Sequence, residues 1–330
     1  MNNLVPVSRM GISPKWMRRK SVIRATEKVT PWPMSDVIPY NSWDPGYGSW
    51  APPDSSYSGV GCPGLRKAIA LALRGLPWER AAIDALGYIT FAKKLDFFCH
   101  FQFRILFPDH PQPMRMMSWE RTTEAMAYSL LLGQEADAID LGYLTYASLN
   151  RKYQLVLSYE EEHRRVHALM LRLFAAWRGD ASHTWPSYAY DEPIYEGILA
   201  KWRDPDPEVL TPWLLAACDR HTHQSQLERS EKKFYDCSNF PCDPVEILFL
   251  LKLRELEGLQ NPVLDHPLMA SPFDKLPAPQ SLFISDELMK GTLARLHKDW
   301  PNYEQVVSLD ALKASALETD DPDHGDHPKP

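Results

Sequence analysis

Cysteine is scarce: five residues, at positions 62, 99, 218, 237 and 242, are scattered over 330. An odd and dispersed set argues against a disulfide framework, so reduced thiols are expected. Long apolar runs are missing as well. No stretch approaches the ~18 residues that span a bilayer, and the first residues lack the uninterrupted ~7 to 15 apolar residues of a secretory signal. A cytoplasmic chain with no membrane contact is therefore expected. Alternating Val/Ile/Thr runs bounded by Asn-Gly or Asp-Gly turns are sparse, which sets aside the β-sheet classes. GxxxxGK[ST], GxSxG, GxGxxG and HExxH are all absent, so no local pattern announces a phosphate cradle, a nucleophile elbow, a dinucleotide site or a zincin helix.

What is present is a globular composition, 44% hydrophobic and 24% charged, on a chain long enough to bury a sizeable core. Net charge is −7, unevenly spread. Residues 1–30 carry seven basic side chains against Glu27 alone, a net +6, so the remaining 300 carry −13. An acidic body repels nucleic acid and suits a basic protein partner, because phosphate neutralisation supplies most non-specific nucleic-acid affinity. The basic N-terminal stretch is expected to lie against the acidic body of its own chain.

Residues 1–60 are rich in Pro, Gly, Ser and aromatics, a composition that discourages both helix and strand. Trp32, Trp43, Tyr47, Trp50 and Tyr57 carry too much apolar area for solvent, so an ordered coil packed on the core is expected. From Pro63 the spacing turns helical and continues to about residue 317, giving one large domain over 61–318. The remaining 319–330, with no apolar payload, is expected to be disordered. The fold class is all-α, built from antiparallel helix pairs, since connections such as that around Gly133 are too short for any other arrangement. FQFRI at 101–105 also alternates as a strand would, but no hairpin signal accompanies it and helix is expected.

The clearest single helix is DPVEILFLLKLRELEG at 243–258. Asp243 suits the N-cap, Pro244 the first turn and Glu246 a capping box, while Gly258 suits a left-handed C-terminal cap. Apolar residues surround the helix in its first two turns, so it is expected in the core and free of chemistry.

Few residues could carry a reaction. Cys218, His221, His223, Cys237 and Cys242 assemble zinc-type ligands in one region, yet His221 and His223 point to different helix faces and no finger spacing appears. Free core thiols are the reading taken, with no metal and no cofactor expected. His163 and His167 sit four apart, but Arg164 stands where a zincin needs its general base, so a solvated face beside Glu160, Glu161 and Glu162 is expected. Asp206 and Glu231-x-Lys233 spell the acid and E-x-K elements of some nucleases, with a helix intervening where adjacent strands are needed. The chain is expected not to be an enzyme. The alternatives left open are a metal-dependent hydrolase or nuclease built on Asp219, His221 and His223, and a helical scaffold.

Residues 195–225, YEGILAKWRDPDPEVLTPWLLAACDRHTHQS, and 240–269, FPCDPVEILFLLKLRELEGLQNPVLDHPLM, resemble the C-terminal half of helical immunity proteins that bacteria co-express with antibacterial type VI secretion effectors. TTEAMAYSLLLGQEADAIDLGYL at 122–144 is similar in style. The resemblance covers about half of the chain and rests on a core-and-turn pattern. It implies a stoichiometric inhibitor that binds a cognate secreted toxin, a nuclease in the most similar cases, and blocks its site or its assembly. Contacts expected on that basis are the Glu160, Glu161, Glu162 cluster and the Asp204, Asp206, Glu208 loop, with Tyr195 and Trp202 as anchors.

Overall fold

The computed structural model describes residues 7–18, 34–42, 52–107, 119–149, 165–180, 187–225 and 235–317. Among them the chain is all-α, with no strand. Helix α1 spans Val37–Ser42, α2 Asp54–Leu73, α3 Glu79–Leu106, α4 Trp119–Leu131, α5 Glu135–Leu149 and α6 Arg165–Arg178. After a 3-10 turn at Ser187–Tyr190 come α7 Pro193–Lys201, α8 Pro207–Gln224 and α9 Val245–Leu256. A second 3-10 turn at Pro267–Met269 leads to α10 Glu287–Asp299, α11 Tyr303–Val306 and α12 Leu309–Leu317.

Consecutive helices pair: α2 packs on α3, α4 on α5 and α7 on α8, as short connections require. Helix α4 sits centrally and touches α3, α5, α6 and α9, while α12 returns to α5 and α10 covers α1. The α7–α8 crossing is close because Gly197 gives way to Trp213, whose ring lies 2.0 Å from where a Cβ would stand. The core is a single buried cluster running from Trp16 to Ala316, in which each fully buried Leu, Ile or Phe contributes about 1.5 to 3 kcal/mol.

Helix α2 starts at Asp54, nine residues before the expected Pro63, which stands inside it. The added turns are held by Tyr57, which is fully buried, stacks near Tyr88 and Phe91, and shares a 2.7 Å hydrogen bond with Thr292. Tertiary burial thus overrides the glycines at 59 and 61. The aromatic run from Phe97 to Phe103 is helical, as expected. Of the five aromatics expected to pack, Tyr57 does, while Trp32, Trp43, Tyr47 and Trp50 lie outside the described residues. Residues 319–330 lie outside them too.

Residues 7–18 lie along α8. Ser13 N–H donates to Thr222 Oγ1 at 2.9 Å, Trp16 is buried and its Nε1 donates to Pro241 O at 2.7 Å. Arg9 forks onto Asp219, so part of the basic segment does rest on acid of its own chain. No described helix is long and apolar enough to cross a membrane.

Candidate functional site

Two features stand out, a polar seam in the interior and an acidic edge on the surface. The seam runs along α8, where five consecutive residues, Cys218, Asp219, Arg220, His221 and Thr222, are all buried. Burial of every face of a helix that carries charge demands a partner for each group. Arg220 Nε donates to Glu192 Oε2 at 2.6 Å, Nη1 to Tyr195 Oη at 2.9 Å and Nη2 to Asp236 Oδ2 at 2.6 Å. Burial opposes its charge, but Tyr195, Asp236 and Glu192 outweigh that and hold its pKa above the usual range. Asp219 takes Arg9, the Gly11 N–H at 3.0 Å and His266 Nε2 at 3.2 Å.

His221 Nδ1 lies 2.7 Å from Glu246 Oε1 of α9. Glu246 therefore does not cap its helix, correcting the expectation of a capping box. Asp243 does not cap either: the cap position belongs to Pro244 and no side chain bonds there. The Asp243 carboxylate instead accepts the Tyr128 hydroxyl, and burial pushes its pKa up to about 7. Local capping was outcompeted by partners elsewhere in the chain. Helix α9 is buried all round through Arg254, as expected, but it is not free of chemistry.

The five zinc-type ligands do not converge. His223 donates toward Gly11 O at 3.0 Å, on the other side of the helix from His221, as the two-residue spacing implied. Burial pushes the Cys218 and Cys237 thiols far above their ordinary pKa, with Glu246 adding to both, so neither is an activated nucleophile at neutral pH. Among the described residues, one group of ligand atoms gathers within 4.8 Å of one another: His221, Cys237 and Glu246. Asp219, His221 and His223, the alternative hydrolase set, are each engaged with separate partners. His167 is not on a solvated face: it is buried, 3.1 Å from Glu124, with its ring edge on Trp119 and Phe240. Phe240 also lines a narrow open cleft with Glu124, Tyr128, Arg66, Arg121 and Asp243.

The acidic edge joins the loop between α7 and α8 to the end of α9. Its organiser is Arg254, wholly buried, whose Nη1 donates to Trp202 O at 2.5 Å and to Asp204 O at 2.9 Å, and whose Nη2 donates to Gln260 O. Burial lowers its pKa. Gly258, at φ 73°, turns the chain out of α9, with Leu259 N–H bonded back to Arg254 O at 2.8 Å as a Schellman-type end requires. On the surface of this edge Arg203 grips Glu257 through bonds of 2.6 to 2.9 Å. Asp204 accepts from the Asp206 N–H and Asp206 from the Glu208 N–H, both at 3.0 Å, so two of the three expected acids shape the turn and cap α8. Leu256, at the end of α9, and Val263, in the segment that follows it, are 42% and 91% exposed.

Tyr195 and Trp202, expected as anchors, are each only 3% exposed. Their rings lie under Arg220 and Arg203 at 4.8 and 4.3 Å, so neither is offered to a partner. Glu160, Glu161 and Glu162 lie outside the described residues, as do His163 and the Glu231-x-Lys233 element. Sequence reading missed Arg220 and Arg254, and gave Glu246 the role of a cap. The available signal was a charged residue inside an otherwise apolar helical run. No family model, no curated protein and no solved structure matches this chain.

Proposed function

We propose that this chain is an immunity-type protein that neutralises a secreted antibacterial toxin, a nuclease by preference, by binding it without transforming any substrate. The observation that carries the reading is the Arg254-stapled edge, where Asp204, Asp206 and Glu208 are presented on a turn fixed from inside by three backbone carbonyls. A rigid acidic surface costs little ordering on association and complements the basic cleft in which a nuclease holds its substrate. Leu256, at the end of α9, and Val263, in the segment that follows it, add exposed apolar contact. The edge lies inside 195–269, the span whose core-and-turn pattern resembles immunity proteins.

The test is co-expression with the toxin encoded by the adjacent reading frame, with affinity measured on the purified pair. A variant carrying Asp204→Asn, Asp206→Ser and Glu208→Lys keeps the turn and cap acceptors while adding four units of positive charge. It is expected to fold normally, to bind at least about tenfold more weakly and to lose protection, in line with close interfacial charge pairs worth more than ~1.5 kcal/mol. Unchanged affinity rejects this surface, and an adjacent frame that encodes no toxin counts against the function itself.

A further inference from the structure

Three metal-competent side chains meet where α8, α9 and the 235–243 loop converge. His221, Cys237 and Glu246 are all buried, with one ligand atom of each within 4.8 Å of the others. His221 Nδ1 and Glu246 Oε1 are already 2.7 Å apart. His221 Nε2 and Glu246 Oε2 are buried without a hydrogen-bond partner among the described residues. We propose that His221, Cys237 and Glu246 form a binding site for a divalent cation of the zinc class, which pins the 235–243 loop to α8 and α9.

The donor set selects the ion. One sulfur, one imidazole nitrogen and a carboxylate suit borderline-soft Zn²⁺ or Co²⁺, whereas Mg²⁺ and Ca²⁺ want oxygen alone. Bonds of about 2.0 to 2.3 Å place tetrahedral ligand pairs roughly 3 to 4 Å apart, so small side-chain rotations close the cluster on an ion. The electrostatics favour a cation as well. Cys237 is surrounded by Glu246, Asp236 and Asp243, with Arg220 as the opposing charge, and burial keeps its thiol protonated. A divalent ion reverses that: sulfur gains the metal bond, the thiol proton leaves to solvent, and Glu246 exchanges its bond to the imidazole N–H for one to the ion. The second carboxylate oxygen, Oε2, is then able to close on the same ion. Cys218 and Cys242, although buried nearby, stand outside the three-ligand group. The inference stands apart from the toxin-binding reading, since a structural ion serves any function of the fold.

The test is titration of chelator-treated, reduced, full-length protein with Co²⁺ and then Zn²⁺. One equivalent of Co²⁺ is expected to give near-ultraviolet sulfur-to-cobalt charge transfer and the visible bands of a four-coordinate ion, which Zn²⁺ then bleaches. The thermal midpoint is expected to rise with ion concentration. Cys237→Ser abolishes the charge-transfer band, and Glu246→Gln weakens binding by about 100-fold or more, beyond the usual effect of outer-sphere partners. Cys242→Ala retains both. Absence of the band or of the thermal shift in the unaltered protein overturns the site, a result that needs no variant to fold. Persistence of the band in Cys237→Ser, or its loss in Cys242→Ala, overturns the ligand assignment.

Discussion

At the scale of single residues, His266 is held in one tautomer. Its Nδ1 accepts from the Leu268 N–H at 3.1 Å, so the ring proton lies on Nε2 and faces Asp219 at 3.2 Å. Protonating Nδ1 would set two N–H groups against each other. Burial, the largest influence, together with Arg9 and His221, lowers the pKa, and Asp219 only partly offsets this. As pH falls, the unfolded chain therefore takes up the proton first. The stability contribution is complete above the ordinary histidine pKa of about 6.5 and is lost as pH drops through it towards the lower folded value. The thermal midpoint is expected to decline between about pH 7 and pH 5. His266→Asn, which offers Oδ1 to the Leu268 N–H, is expected to flatten that slope at a cost of about 1 kcal/mol near pH 7. An unaltered slope would assign the titration to another group. Roles of this kind were not legible in the sequence. Asp243 and Glu246 read as helix caps because capping is local, whereas Tyr128 is 115 residues away from Asp243 and His221 is 25 away from Glu246. Only the packed chain decides between those partners.

At the scale of elements, boundaries were legible where termination is local chemistry. Asp206 and Asp286 cap α8 and α10 through bonds to nearby N–H groups, and Gly258 ends α9 as expected. The start of α2 was not, because what extends it back to Asp54 is the burial of Tyr57 against α3 and Thr292 of α10. The same division marks the acidic edge. Each loop was visible, but their union depends on Arg254 reaching carbonyls 50 and 52 positions earlier in the chain. Removing that guanidinium leaves Trp202 O, Asp204 O and Gln260 O without their charged donor. Arg254→Met, which preserves much of the packing volume, is expected to lower unfolding free energy by about 2 to 4 kcal/mol, since hydrogen bonds to charged groups are worth about 1.5 to 3 each and solvent repairs part of the loss. Urea denaturation would register this as a lower midpoint at constant slope. It is also expected to loosen the 202–206 turn and weaken toxin binding together. A variant as stable as the parent would mean that the edge is held by other contacts.

At the scale of the whole molecule, charge rather than shape was the legible quantity: a +6 N-terminal stretch on a remainder of −13. Arg9 accounts for part of that complementarity by folding onto Asp219, leaving the edge around Asp204, Asp206 and Glu208 to project negative potential. Such a field acts on encounter more than on the bound state, because exposed charges are screened beyond a Debye length of about 10 Å at 0.1 M salt, while apolar contacts such as those of Leu256 and Val263 are not. The association rate constant with a basic toxin is therefore expected to fall by about tenfold or more as salt rises from roughly 0.05 to 0.5 M, with the dissociation rate changing much less. The variant with Asp204→Asn, Asp206→Ser and Glu208→Lys should show a nearly flat salt dependence. Stopped-flow mixing at several ionic strengths separates the two rates. A salt-independent association rate in the parent protein would rule out steering by this edge, and a steep dependence surviving in the variant would move the charged contact to another face.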